Sequence, residues 1–268
     1  MRYPIPILVL FGWLCGSEAL EALLPDRALH QYAHRQWRVE EGLPQNTVRA
    51  IAQTPDGMLW VGTQGGLARF DGFDFDLVDD PDAILDRHHA YAAVVDGEGD
   101  LWIGSNSGEL LRRRHGRFER VDGVSTGQIL VLRFDDDTLW LGTEDVGAVR
   151  MAPDGSVETW GAEHGIIGAV HDLAVDGHGG AYVPTAGSGL HHIDRRGRVR
   201  RVAAEALPSP LVWSVARDAD GLWIGTTLGL ARIEAGEVVG RFGAESLGEA
   251  WVRHVMIDSQ GVLWIGTV

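Results

Sequence analysis

The stretch DGMLWVGTQGGLARFDG at residues 56–72 places a turn dipeptide, a tryptophan, paired glycines and an arginine in close succession. Its core recurs as LWIGS at 101–105, LWLGT at 139–143, AYVPT at 181–185, and LWIGT at 222–226 and 263–267. Successive aromatic residues lie 42, 38, 42, 41 and 41 positions apart, and they are Trp60, Trp102, Trp140, Tyr182, Trp223 and Trp264. A period near forty with glycine-rich turns and no helical apolar spacing predicts an all-β fold, a β-propeller of four-stranded blades.

Each repeat is predicted to form four short strands. In the first repeat we expect them at residues 47–53, 59–63, 67–70 and 73–77, with an Asp-Gly turn closing the first hairpin. Because side chains alternate along a strand, Trp60 and Gly62 share a face, where the indole packs on the next blade and the glycine permits close approach. The fourth repeat has Tyr182 and Pro184 instead. Proline donates no ladder hydrogen bond, so we expect a bulge or broken pairing there.

The repeated residues, exemplified by Asp56-Gly57, Leu59 to Thr63 and Gly66 to Arg69, follow the segment EEGLPQNTV at residues 40–48. In this combination they resemble the two-component regulator propeller family, from about residue 37 to the end of the sequence. The resemblance implies an extracytoplasmic sensor propeller placed ahead of a signalling output, commonly a histidine kinase or a diguanylate cyclase. It implies no particular ligand, because the repeated residues are structural.

Residues 1–22 are predicted to be a signal peptide, because Arg2 precedes an apolar run at 5–15 and small residues at Ser17 and Ala19. The sensor propeller is then expected over residues 23–268, in the periplasm, on the outer side of the inner membrane. Export would remove Cys15, the single cysteine, so stability would come from packing without disulfides.

The sixth repeat stops within its second strand, which indicates a fragment that is truncated in its sixth blade. We expect a complete ring of seven blades, with residues 29–37 supplying an outer strand to the last one. The output module, and any attachment to the membrane, would then lie beyond residue 268. A dimeric full-length protein is compatible with this interpretation.

Alignment of the repeats on the aromatic position allows their inner strands to be compared. One aligned position is apolar throughout and is predicted to be inter-blade core: Val48, Ala90, Ile129, Val170, Val212 and Val252. The next position lies near the loops around the channel mouth and varies: Arg49, Tyr91, Leu130, His171, Trp213 and Arg253.

The channel mouth is the one concave region that all blades share, which favours it as a ligand site. We hypothesise a pocket there for a small polar ligand, either anionic, held by arginine, or sugar-like, held by an aromatic face. The proposed lining residues are Asn46, Arg49, His88, Tyr91, His171, Trp213 and Arg253. The alternative is that these side chains only satisfy one another across the channel.

A formal net charge of −15 argues against a nucleic acid partner, and the absence of lysine excludes P-loop and Schiff-base chemistry. The eleven histidines lack metal-site spacing, so we expect no metal and no cofactor. We predict no catalytic residues in this chain. Two alternative functions stay open: a propeller enzyme, either a sialidase-like glycosidase or a quinoprotein dehydrogenase, and a scaffold that binds a periplasmic protein. A glycosidase needs two carboxylates at the mouth, where Asp172 and Glu144 come nearest.

Overall fold

The structure is a computed structural model that describes residues 35–78, 89–124 and 126–268. From Gln36 onward these residues form one unit. Its described part contains six antiparallel sheets, of which five have four strands and the last has two. The expected all-β architecture of about six repeats with an incomplete sixth sheet is therefore confirmed.

The strands follow one another in each blade in chain order. Blade one consists of β1 (Val48–Gln53), β2 (Leu59–Thr63), β3 (Gly66–Phe70) and β4 (Phe75–Leu77). Blade two consists of β5 (Ala90–Val95), β6 (Leu101–Ser105), β7 (Leu110–Arg114) and β8 (Arg117–Val121). Blade three consists of β9 (Ile129–Asp135), β10 (Thr138–Thr143), β11 (Ala148–Met151) and β12 (Val157–Trp160).

The second half repeats the pattern. Blade four consists of β13 (Ala174–Val175), β14 (Ala181–Thr185), β15 (Gly189–Ile193) and β16 (Val199–Val202). Blade five consists of β17 (Val212–Arg217), β18 (Gly221–Thr226), β19 (Gly229–Glu234) and β20 (Glu237–Phe242). Blade six has β21 (Val252–Ile257) and β22 (Leu263–Thr267). Short helical turns occur at Val39–Glu41, Ala162–His164 and Ala244–Leu247 (α1).

The first strands of successive blades lie side by side. β1 lies next to β5, β5 next to β9, β9 next to β13, β13 next to β17, and β17 next to β21. Each first strand is also paired with the second strand of its own blade. The sheets are thus arranged as wedges whose inner strands surround a common channel, as a propeller requires.

In blades one, two, three and five the glycine two positions after the repeat tryptophan faces the inner strand of the next blade. A Cβ built at Gly62 would lie 2.7 Å from the carbonyl oxygen of Ala90, and one at Gly225 would lie 2.9 Å from Cγ1 of Val252. Trp60 is buried in a cluster with Leu101 and Ile103 of blade two. The predicted roles of both residues, packing on the neighbouring blade and permitting its approach, are confirmed.

The remaining residues of the motif hold the turn and cover the indole. The hydroxyl of Thr63 donates to the carbonyl oxygen of Gly66, and Thr143, Thr185 and Thr226 make the same bond in their blades. In blades two, three and five an arginine of the third strand lies over the tryptophan of the second, as where Arg232 Cζ is 5.0 Å from the Trp223 ring. The threonine therefore stabilises the turn between the second and third strands, and the arginine covers the tryptophan ring.

Blade four departs from the others where Pro184 replaces glycine. Its inner strand β13 has only two residues, and its pairing with β14 stops after Tyr182. The expected broken pairing is confirmed. His192, which takes the place of the covering arginine, packs on Tyr182 with ring centroids 4.6 Å apart and bonds to Asp176 Oδ2 at 2.8 Å.

One expectation about the first blade is wrong, and a second can be compared with the structure only in part, because most of its segment lies outside the described residues. Val48 was expected in the inter-blade core, but it is 39% exposed, because no described blade packs on that face of β1. Of the segment 29–37, only residues 35–37 are described, and they form no strand. Trp37 packs instead edge-on against Phe70 of blade one at 5.1 Å, and residues 29–34 lie outside the described residues.

Candidate functional site

A β-bulge sits at the same place in five inner strands. The pairing of β1 with β2 skips Arg49, and the corresponding skipped residues are Tyr91 in β5, Leu130 in β9, Trp213 in β17 and Arg253 in β21. A bulge leaves one residue out of the ladder and turns its side chain to a new direction. These are the residues of the variable position that the alignment predicted to reach the channel mouth.

The bulged residues converge on one cavity, which we call the mouth. It has a volume of about 360 Å³, and its lining is Arg49, Tyr91, Gln128, Leu130, Glu144, His171, Trp213, Arg253 and His254. A deeper cavity of about 320 Å³ shares Arg49, Tyr91, Leu130, His171 and His254 with it. Side chains from all six blades therefore meet around a space at the lower end of the size range of about 300–1,000 Å³ that small-molecule sites span.

The cations of the mouth lie on its aromatic rings. Arg253 Cζ is 3.9 Å from the centroid of the Trp213 ring, and Arg49 Cζ is 5.1 Å from that of Tyr91. The His171 imidazole stacks on Trp213 with centroids 4.5 Å apart and planes 26° apart. These contacts hold both guanidinium groups against aromatic rings, and within the described part of the chain neither arginine pairs with a carboxylate.

The two arginines bring positive charge to the mouth, whereas His171 adds none at pH 7. Burial, followed by the positive charge of Arg253, lowers the pKa of His171 to about 4, so that its imidazole is neutral at pH 7. Burial, followed by the charge of Arg49, also lowers the pKa of Arg253. Two mutually repelling guanidinium groups therefore face the same cavity.

The buried carboxylate of Asp172 connects several blades in the wall of the deeper cavity. Asp172 is 3% exposed and accepts hydrogen bonds from Arg133 Nη2 at 3.1 Å and Ser214 Oγ at 2.7 Å. It also accepts from the backbone N–H of Leu173 and Val215. This network joins blades three, four and five, and Ser214 Oγ extends it to blade six by accepting from the N–H of Val255.

Five of the seven predicted site residues, Arg49, Tyr91, His171, Trp213 and Arg253, line the mouth. Asn46 does not line it, because its side-chain oxygen accepts from the N–H of Val39 at 2.9 Å and holds the helical turn there. His88 lies outside the described residues. Glu144 does line the mouth, while Asp172 lines only the deeper cavity and is engaged with Arg133.

Sequence reasoning left Gln128, Leu130 and His254 out of the site, although all three line the mouth. Leu130 stands in the aligned variable position, so the alignment itself was the signal that could have included it. Gln128 and His254 lie beside aligned positions and carry no separate signal. Among the described residues no group of three or more metal-ligating side chains is present, and no helix is long and apolar enough to cross a bilayer.

Solved structures of propellers resemble the chain in fold. The extracellular domain of the putative hybrid two component system BT3049 from B. thetaiotaomicron matches with a TM-score of 0.72 and 18% identity, over 87% of this chain and 34% of that one. Virginiamycin B lyase from Staphylococcus aureus matches with a TM-score of 0.64 and 14% identity, over 84% of this chain and 79% of that one. The chain spans about a third of the first structure. Its fold is thus similar both to an extracellular domain of a putative two component system and to a lyase.

Sequence comparison identifies the repeats. A curated relative, the photosystem II assembly lipoprotein Ycf48 of Synechococcus sp. (strain RCC307), is 27% identical over 78 residues, which is 28% of this chain and 24% of that protein. Residues 42–65, 206–227 and 246–268 match the family described as two component regulator propeller. These segments contain the motif residues of blades one, five and six. The chain therefore carries the repeats of the two component regulator propeller family, and the resemblance drawn from its motifs is confirmed.

Proposed function

We propose that this chain is the ligand-binding part of an extracytoplasmic sensor, with a small polar molecule bound at the mouth. The observation that carries the proposal is the convergence of five bulged inner-strand residues and His171 on one cavity. A bulge disrupts the strand ladder, and bulges are over-represented next to functional sites. A packing role alone gives no reason for the mouth to hold two like-charged arginines.

Sensing requires that binding favours one arrangement of the protein over another. The mouth is suited to this because its lining comes from all six blades, so that a bound molecule contacts each of them at once. The family implies an output module, a histidine kinase or a diguanylate cyclase. That module would respond to a change in the arrangement of the inner strands. The periplasmic location is supported by the signal-peptide pattern of residues 1–22.

A thermal-shift screen of the purified chain tests ligand binding at the mouth. A molecule that binds the folded state raises the melting temperature by mass action. We expect at least one small polar molecule to do so for the native chain and for Arg217→Ala, but not for Arg49→Ala/Arg253→Ala. A molecule that stabilises all three proteins equally would place its site elsewhere and contradict the proposal, as would turnover of that molecule at the mouth.

The location is tested by fusing residues 1–22 to an alkaline phosphatase that is active only outside the cytoplasm. We expect activity from the fusion and none from a control fusion in which an arginine replaces Val9 within the apolar run. An inactive native fusion would contradict the periplasmic assignment without bearing on the mouth.

A further inference from the structure

Protein side chains already cover both faces of Trp213 and one face of Tyr91 at the mouth. Arg253 and His171 both lie within 4.5 Å of the Trp213 ring centroid, and two groups this close cannot share one face. Arg49 lies over the ring of Tyr91. A sugar binds an aromatic residue by stacking on an open face, and Trp213 offers none. The mouth is therefore poorly suited to a neutral sugar.

The two arginines, in contrast, keep their hydrogen-bond donors free. A guanidinium that stacks on a ring directs its N–H groups sideways, in the plane where a carboxylate can receive two of them. Among the described residues Arg49 and Arg253 make no ion pair and no hydrogen bond. The Nε1 atom of Trp213 is also buried without a hydrogen-bond partner in that part of the chain.

The surrounding charges leave the mouth positive. The charge of Arg133 is balanced by Asp172 at 3.1 Å, and Asp172 is further engaged by Ser214. Glu144 on the wall offsets one of the two mouth arginines, and His171 is neutral at pH 7 because of its pKa of about 4. The mouth thus keeps a net positive charge in a protein whose formal net charge is −15.

The arginines stand on different blades, Arg49 in blade one and Arg253 in blade six, and each has its own donor fork. Burial is the main cause that lowers the pKa of Arg253, and repulsion by Arg49 adds to it; an anion that meets both arginines would relieve that repulsion. Resting on the proposed function, we propose that the ligand of the mouth is a small dicarboxylate, with one carboxylate bound by Arg49 and the other by Arg253. The carbon chain of the dicarboxylate would lie across the mouth, next to Leu130.

Isothermal titration calorimetry of the whole chain at low ionic strength, with succinate and acetate as probes, tests this. We expect succinate to bind the native chain at least tenfold more tightly than acetate. Arg49→Gln and Arg253→Gln should each weaken succinate binding by about tenfold to a hundredfold, because each removes charge-assisted hydrogen bonds. Arg217→Gln, which removes an exposed arginine of the groove between blades four and five, is the matched control and should leave the affinity unchanged.

Circular dichroism of each variant confirms folding, and Arg49→Lys and Arg253→Lys, which keep the charge but lose the fork, should bind with intermediate affinity. Failure of succinate to bind the native chain, equal binding of acetate, or unchanged binding to Arg49→Gln/Arg253→Gln would each overturn the dicarboxylate. Binding of maltose that Trp213→Leu abolishes would overturn it too, while leaving a ligand site at the mouth intact.

Discussion

In four of the described blades a glycine of the second strand lies directly against the inner strand of the next blade. At Gly62 the neighbouring backbone lies so near that a Cβ atom would meet the Ala90 carbonyl oxygen at 2.7 Å and its Cβ at 2.9 Å. Backbone cannot move aside as the end of a flexible side chain can. The residue is therefore fixed by the packing of two blades and not by its own backbone conformation.

Gly62→Ala should lower the free energy of unfolding by about 1–3 kcal/mol, the usual cost of overpacking a well-filled core. Chemical denaturation measures this change. Gly97→Ala is the matched control, because a Cβ there meets nothing within 4 Å and the residue does not need a positive φ. Equal stabilities of the two variants would contradict the close inter-blade approach.

Protonation of His171 should make the free energy of unfolding depend on pH. Its pKa is lowered to about 4 by burial and by the charge of Arg253, with Asp172 opposing the shift. The unfolded chain takes up this proton near pH 6.5 and the folded chain only near pH 4, so the unfolded state binds more protons between these values. The free energy of unfolding should therefore fall as the pH is lowered from 6.5 towards 4.

His171→Gln removes the titrating group and should make that fall smaller. Urea denaturation of the native and variant chains at several pH values between 4 and 7 measures the difference. Parallel pH profiles for the two proteins would show that the imidazole is protonated as easily in the folded state as in the unfolded state, contrary to its burial against Trp213.

The short inner strand of blade four follows a buried carboxylate, which connects this blade to its neighbours. β13 has two residues where most inner strands have six, and Asp172, just before it, bonds to groups of blades three and five. Asp172→Ala would leave Arg133, Ser214 and the N–H of Val215 without their acceptor. Arg133 is 42% exposed and can be solvated, but Ser214 and Val215 are buried, so we expect a loss of about 1–3 kcal/mol in the free energy of unfolding, the usual cost of buried donors left unsatisfied.

Asp76→Ala serves as the control for that measurement. Asp76 pairs with Arg69 at 3.3 Å, but the side chains are 70% and 43% exposed, so its loss should cost about 0–1 kcal/mol. Denaturation of both variants under the same conditions makes the comparison. A small effect of Asp172→Ala would show that the blades hold together without the network.

Hydrogen exchange should also distinguish blade four. The pairing of β13 with β14 covers only Ala174 and Val175, whereas β5 pairs with β6 from Ala90 to Val95. Amides of residues 171–175 should thus exchange faster than those of residues 92–95 when peptides are followed by mass spectrometry. Equal protection of the two segments would mean that Pro184 does not weaken the blade.

The unit as a whole is predictable from its sequence wherever one repeat suffices to determine the structure. The strands of the first repeat were predicted to within two residues at each end, because Asp56, Gly57 and Gly66 set its turns and Trp60 its buried face. Alignment also found the mouth residues, since the bulge recurs at one position. Burial that depends on a neighbouring blade, as at Val48, could not be obtained from a single repeat.

Contacts between residues that are distant in the sequence could not be predicted from it either. Arg133, Asp172 and Ser214 are about forty residues apart and carry no common motif, so only the assembled blades bring them together. The stacking of Arg253 on Trp213 likewise depends on the distance between two inner strands. Arg253 covers a face of Trp213 on which a sugar would have to stack, so the contact makes the mouth less suited to a sugar.

A crystal structure of the chain grown with succinate tests the central claim that the bulged residues form one anion-binding mouth. We predict that Arg49, Tyr91, His171, Trp213 and Arg253 line a single cavity, with one carboxylate at each guanidinium group. Bulged side chains that point to separate surfaces, or succinate bound away from both arginines, would contradict it.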